Sequence, residues 1–141
     1  MANEFVLVYK LQEAIPFTVA NATGIEKGAL CSLADPMTAA TVVGTHDVIA
    51  GVAASEKIAS DGKTSLGVFR KGIFKATCSG AIPVGAPLAS AADGAAHFIN
   101  YVCTANAAGC SGSKTLGYAL ETGADTETIL IDLNIGVGAA L

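Results

Sequence analysis

The side chains able to do chemistry are few and scattered. The 141 residues hold two histidines, four cysteines, twelve acids and eight basic residues, of which Arg70 is the only arginine. His46 and Asp47 are adjacent, as an acid–base pair would be, but neighbours on an extended chain face opposite ways and no nucleophile motif accompanies them. His97, Cys103 and Cys110 make three zinc donors in an order without a C-x-x-C pair, one ligand short of a structural site. Asp125, Glu127 and Asp132 lack the close oxygen spacing of a calcium loop. Residues 60–64 end like a phosphate-binding loop, yet Lys57 stands where that loop needs its first glycine, so a turn is expected. His46, Asp47 and the acids are therefore expected to be solvated surface groups and His97 a strand-edge residue. No enzyme activity, metal or cofactor is expected. Cys31, Cys78, Cys103 and Cys110 read as small buried thiols, with a local Cys103–Cys110 disulfide open under oxidising conditions.

Bulk composition points to assembly instead. Hydrophobic residues make up 52% of the chain and charged ones 14%, but much of the apolar count is alanine beside 16 glycines, with no tryptophan. Small side chains fill little volume, so a surface this poor in charge is expected to be covered by other subunits. The net charge of −4 and the scattered lysines exclude a nucleic-acid face. No apolar run approaches the roughly 18 residues of a membrane span, so no membrane partner is expected. Glu4 stands where a secretory signal needs positive charge, which makes a cytoplasm the expected place of synthesis.

The elements that must carry these residues read as strands. Residues 5–11, 16–20, 48–53, 64–69 and 73–78 are short β-branched or aromatic runs, and the four prolines lie outside strand centres. Residues 128–135 alternate most clearly. Ile129, Ile131, Leu133 and Ile135 share one face, Thr128, Asp132 and Asn134 the other, and Leu130 is the exception. One short helix is expected over residues 53–59. Residues 35–47, 90–94 and 104–114 read as loops.

A faint repeat runs through the chain. Ile25, Gly28 and Leu30 are echoed by Ile82, Gly85 and Leu88, and the segment around Gly51 ending at Glu56 by that around Gly117 ending at Glu121. A strand follows both times. The expectation is a turn–strand–loop–strand–turn–strand unit used twice, giving an all-β fold: a small barrel or sandwich with long loops and at most one or two short helices.

Residues 49–76, with residues 23–35, 85–88, 116–122 and 128–133, resemble the capsid decoration, or cement, proteins of tailed bacteriophages; residues 35–47 and 97–114 find no counterpart there. The resemblance implies a structural virion protein, commonly trimeric, on the outer capsid surface. Its partner would be the major capsid protein, whose neighbouring subunits it would cement in the expanded shell, with assembly in the host bacterial cytoplasm. The alternative is another phage assembly protein, a tail, spike or minor shell component, with the same β core. Residues 17–141 are expected to form a single β-rich domain, and residues 1–16 either an arm or the first strand of that domain. An exposed strand can extend a neighbour's sheet, so Phe5, Val6, Leu7, Val8 and Tyr9 are the expected partner contacts.

Overall fold

The computed structural model describes residues 4–42, 48–90, 99–101 and 115–135. Among them there are eleven strands and no helix: β1 (Val6–Lys10), β2 (Ile15–Thr18), β3 (Leu30–Ala34), β4 (Thr38–Thr41), β5 (Ile49–Ala53), β6 (Ser65–Phe69), β7 (Lys71–Thr77), β8 (Pro87–Ser90), β9 (Ile99–Tyr101), β10 (Gly117–Ala119) and β11 (Thr128–Asn134). They build a closed five-stranded barrel, β2-β4-β3-β5-β6, and a six-stranded sheet in the order β1-β7-β11-β10-β8-β9. The all-β expectation holds, with a barrel and a sheet in one chain.

The faint sequence repeat is a repeat of structure. In the barrel, antiparallel pairing runs β2 to β6 to β5 to β3 to β4. In the second half it runs β7 to β11 to β10 to β8 to β9, strand for strand the same. The turns correspond as well: Ile25 bridges Lys57, and Ile82 bridges Gly123. Gly51 and Gly117 hold equivalent places with φ of 148° and 146°. A Cβ on Gly51 would collide with the carbonyl oxygen of Phe69, and one on Gly117 with that of Asp132. Glycine is thus required twice for the same close strand approach. The halves differ at one edge. The first closes through a parallel contact of β2 with β4 at Thr18 and Thr38, whereas in the second β1 lies antiparallel on β7.

Two apolar clusters follow from this plan. Phe17, Val19, Cys31, Ala39, Ala50, Leu66 and Val68 belong to the cluster of the barrel strands. Leu30, Ile49 and Val52 join Phe74, Leu88, Ile129, Ile131 and Leu133 in the other, which ties the barrel to the sheet. Strand β5 serves both, and all five of its residues are buried. An irregular register against β3 lets Ile49 and Val52, three apart, serve the same cluster. Ala50 and Ala53 suit this double use, since the interior of a small barrel has room for little more.

Two sequence expectations are corrected. Residues 53–59 are not a helix, because β5 runs to Ala53 and the Ala54 amide donates to Gly67. Lys57 and Ile25 exchange backbone hydrogen bonds of 2.7 and 2.9 Å, which uses the groups a two-turn helix would need. Within the expected loop 35–47, residues 38–41 form β4, a strand of small side chains with no hydrophobic period to betray it; residues 43–47 lie outside the described part.

Lys57 is only 2% exposed. Its Nζ donates to the carbonyls of Asn21 (2.8 Å), Thr23 (3.1 Å) and Ile58 (3.3 Å), and lies 3.5 Å from Asp61 Oδ1. The ammonium thereby clamps two loops at one end of the barrel. Hydrogen bonds from the Lys63 and Ile58 amides, with the Lys57 charge beside them, hold the Asp61 carboxyl below its usual value. Lys57→Met keeps the stem but strands these carbonyls, and should lower unfolding stability by about 2–4 kcal/mol in a denaturant titration. A loss below about 0.5 kcal/mol would mean that the clamp is dispensable.

Candidate functional site

Strand β1 is where the chain departs from its own repeat. Phe5 precedes it and is buried, packed edge-on against Phe74 with ring centroids 6.4 Å apart, and its amide donates to Gly28. From Val6 to Lys10 every residue is exposed. Val6 pairs with Lys75, Leu7 with Phe74, Tyr9 with Ile73 and Lys10 with Gly72, which leaves Val8 as the extra residue of a bulge. Among the described residues no strand pairs the outer side of β1. Lys10 is tied to Glu13 at 2.8 Å. Of the five expected contact residues, then, Phe5 lies in the core, while Val6, Leu7, Val8 and Tyr9 are at the surface. The segment 1–16 ends inside β2, which begins at Ile15.

The register of the six-stranded sheet reveals a second feature that no single stretch of sequence displays. Tyr9, Ile73, Asp132, Tyr118 and Pro87 lie side by side across five strands. In the next row Val6 neighbours Lys75, and Lys75 neighbours Leu130, whose carbonyl accepts from the Leu120 amide. These residues face away from the core, because the alternate residues Ile129, Ile131 and Leu133 are at most 1% exposed. A sheet with one face on a core normally presents polar residues on the other. Here both rows are mostly apolar or aromatic, and Tyr9 is 65%, Val6 50% and Leu120 45% exposed. The signal in the sequence was Leu130, the residue that breaks the alternation of β11.

A separate open hollow of about 650 Å³ lies against the barrel strands, lined mainly by Ile15, Phe17, Leu33, Met37, Val48 and Arg70. Arg70 donates to the Ala50 carbonyl at 3.1 Å and lies over the Phe17 ring, 6.0 Å from its centroid.

Residues 9–135 match the family model of the phage cement proteins. The chain belongs to that family. It is a structural protein of the phage virion, at the capsid surface, and not an enzyme. Among solved structures the cement protein is similar to the N base of the head fibre gp8.5 of bacteriophage phi29. Identity is 15% over 85% of this chain and 93% of that one, with a TM-score of 0.53, a likeness of fold. No curated protein matches.

Among the described residues, the polar groups singled out in the cement protein's sequence do not converge. Asp125 Oδ1 accepts from the Gly80 amide and Glu127 Oε2 from the Ala124 amide, both at 2.8 Å, so these carboxylates brace turns; Asp132 lies on the sheet face opposite Tyr118. In residues 60–64, Asp61 Oδ1 accepts from the Lys63 amide at 2.9 Å and Gly62 has φ 86°, a turn as expected. His46, Asp47, His97, Cys103 and Cys110 lie outside the described residues. Cys31 and Cys78 are free and buried. Burial pushes the Cys31 thiol up to about 12. Cys78 is raised too, by burial first and then by the charges of Glu127 and Asp125.

These thiols give a pH signature with a defined sign. Above the ordinary thiol value the unfolded chain loses protons that the folded chain keeps. Folding stability should therefore fall as pH rises from about 9 towards 12. In a Cys103→Ser, Cys110→Ser background, denaturation midpoints across that range should decline, and a thiol reagent at pH 8 should label only unfolded protein. Rapid labelling of the native fold would contradict the burial of both groups.

Proposed function

We propose that this cement protein binds the major capsid protein on the outside of the expanded shell as a homotrimer, and that Val6, Leu7, Val8 and Tyr9 make contact with the shell while Phe5 anchors their strand. The observation that carries this reading is β1 itself, an apolar edge strand exposed along its whole length and held by one buried ring. Such an edge offers unpaired backbone donors and acceptors to an extended segment of a partner, and its alternate side chains add apolar area. The Lys10–Glu13 pair and the bulge at Val8 blunt the same edge against indiscriminate pairing.

Cementing follows by mass action. A protein that binds only the assembled arrangement of shell subunits stabilises that arrangement in proportion to its occupancy. Three copies joined in one particle-bound unit turn weak single contacts into a durable one. Assembly would take place in the host bacterial cytoplasm, where shells mature.

Val8→Pro removes one backbone donor at the bulge and should leave the fold intact, since proline is tolerated at edges and bulges. Binding to purified expanded shells, read by co-sedimentation, should weaken about tenfold, the effect of losing one good contact. Phe5→Ala should instead destabilise the fold by about 3–5 kcal/mol. Full occupancy by a folded Val8→Pro protein, or only a few wild-type copies per native particle, would contradict the proposal.

A further inference from the structure

We infer that the outer face of the six-stranded sheet, continuous with β1, is the footprint of the cement protein on the shell, and that it takes an apolar patch of the shell subunit. This rests on the reading of β1 as the shell contact, and extends it from one strand to five. Val6 and Tyr9 belong both to β1 and to the two rows that continue through Ile73 and Tyr118, and through Leu130 and Leu120. Tyrosine on such a face supplies a large contact area at small entropic cost, which is why interface centres are rich in it.

Charge and area identify the occupant. The two rows contain one cation and one anion, Lys75 and Asp132, and among the described residues neither is in an ion pair. With Lys71, which pairs with Asn134 in the adjoining row, the face carries two cations and one anion, a net charge too small to select a strongly acidic or basic partner. The acids Glu121, Asp125 and Glu127 lie on the turns beyond the strand ends. As for area, five strands at about 4.8 Å and two rows at about 6.8 Å cover about 330 Å². A stable pairwise interface uses roughly 800 Å² on each partner. These two apolar rows are by themselves too small to hold two free copies together. They suit a site used many times over on a repeating shell, where avidity makes up for weak single contacts.

The test uses the full-length protein and purified expanded shells. Tyr118→Ser and Leu130→Gln should each keep the wild-type thermal melt and oligomeric state and weaken shell binding about 10-fold or more, the loss expected from one buried large side chain. Met37→Lys, at the barrel hollow, should bind as wild type. Wild-type binding should persist from about 0.1 M to about 1 M salt, because an apolar contact is not screened. Full binding by both sheet variants beside a bound wild type overturns this inference and leaves the β1 reading standing. Loss of binding by Met37→Lys alone moves the footprint to the barrel. Dissociation of the oligomer by Tyr118→Ser or Leu130→Gln would make the face a contact between copies, which also overturns it. Failure of the wild type to bind shells overturns both readings.

Discussion

Two glycines in equivalent places, Gly51 and Gly117, permit the strand contact around which the protein is organised. At each, the backbone of the next strand occupies the space a side chain would need, the carbonyl of Phe69 in one case and of Asp132 in the other. That approach sets β5 against β6 and β10 against β11, and the remaining pairings of each half follow in the same order. The barrel and the sheet are therefore two versions of one unit, and Gly51 and Gly117 reflect how closely each must pack. The second unit keeps its β7 edge for β1, where the first closes on itself. That difference leaves the molecule with a long exposed strand.

Stability and surface are thereby assigned to different places. The barrel end is locked by the Lys57 ammonium among backbone carbonyls, and the large side chains Ile129, Ile131, Leu133, Leu88 and Phe74 are spent on the core that joins the barrel to the sheet. The charged groups brace turns: Asp61, Asp125 and Glu127 all accept backbone amides. What remains in the two rows from Tyr9 to Pro87 and from Val6 to Leu120 is mostly apolar and tyrosine side chains, with Lys71, Asn134, Thr77 and Thr128 in the rows on either side. For a protein of the capsid surface, a face of low net charge can be repeated over a lattice with little charge repulsion between copies.

Much of the fold was legible in the sequence, for physical reasons that also explain the failures. The alternation of β11 is strong because one of its faces is fully buried, and the repeat was visible because Gly28, Gly51, Gly85 and Gly117 perform backbone tasks no other residue can. Strand β4 was hidden because its threonines and alanines offer no contrast between faces. The false helix at residues 53–59 came from alanine and glutamate, whose local preference was overridden by the Lys57–Ile25 bridge. Of the expected contact residues, Phe5 and Val6 looked alike in sequence, and only packing separates the buried anchor from the exposed strand. The sheet face was not legible beyond Leu130, because Tyr9, Ile73 and Tyr118 come together only through pairing of strands distant in the chain.

The most direct test is the orientation of the protein on its particle, read from a reconstruction of decorated expanded capsids by electron cryomicroscopy. The account predicts that β1 and the outer face of the six-stranded sheet, with Tyr118 and Leu130 near its middle, lie against the shell while the barrel points to solvent. Density placing the barrel hollow around Met37 on the shell, with the sheet face open to solvent, would contradict it.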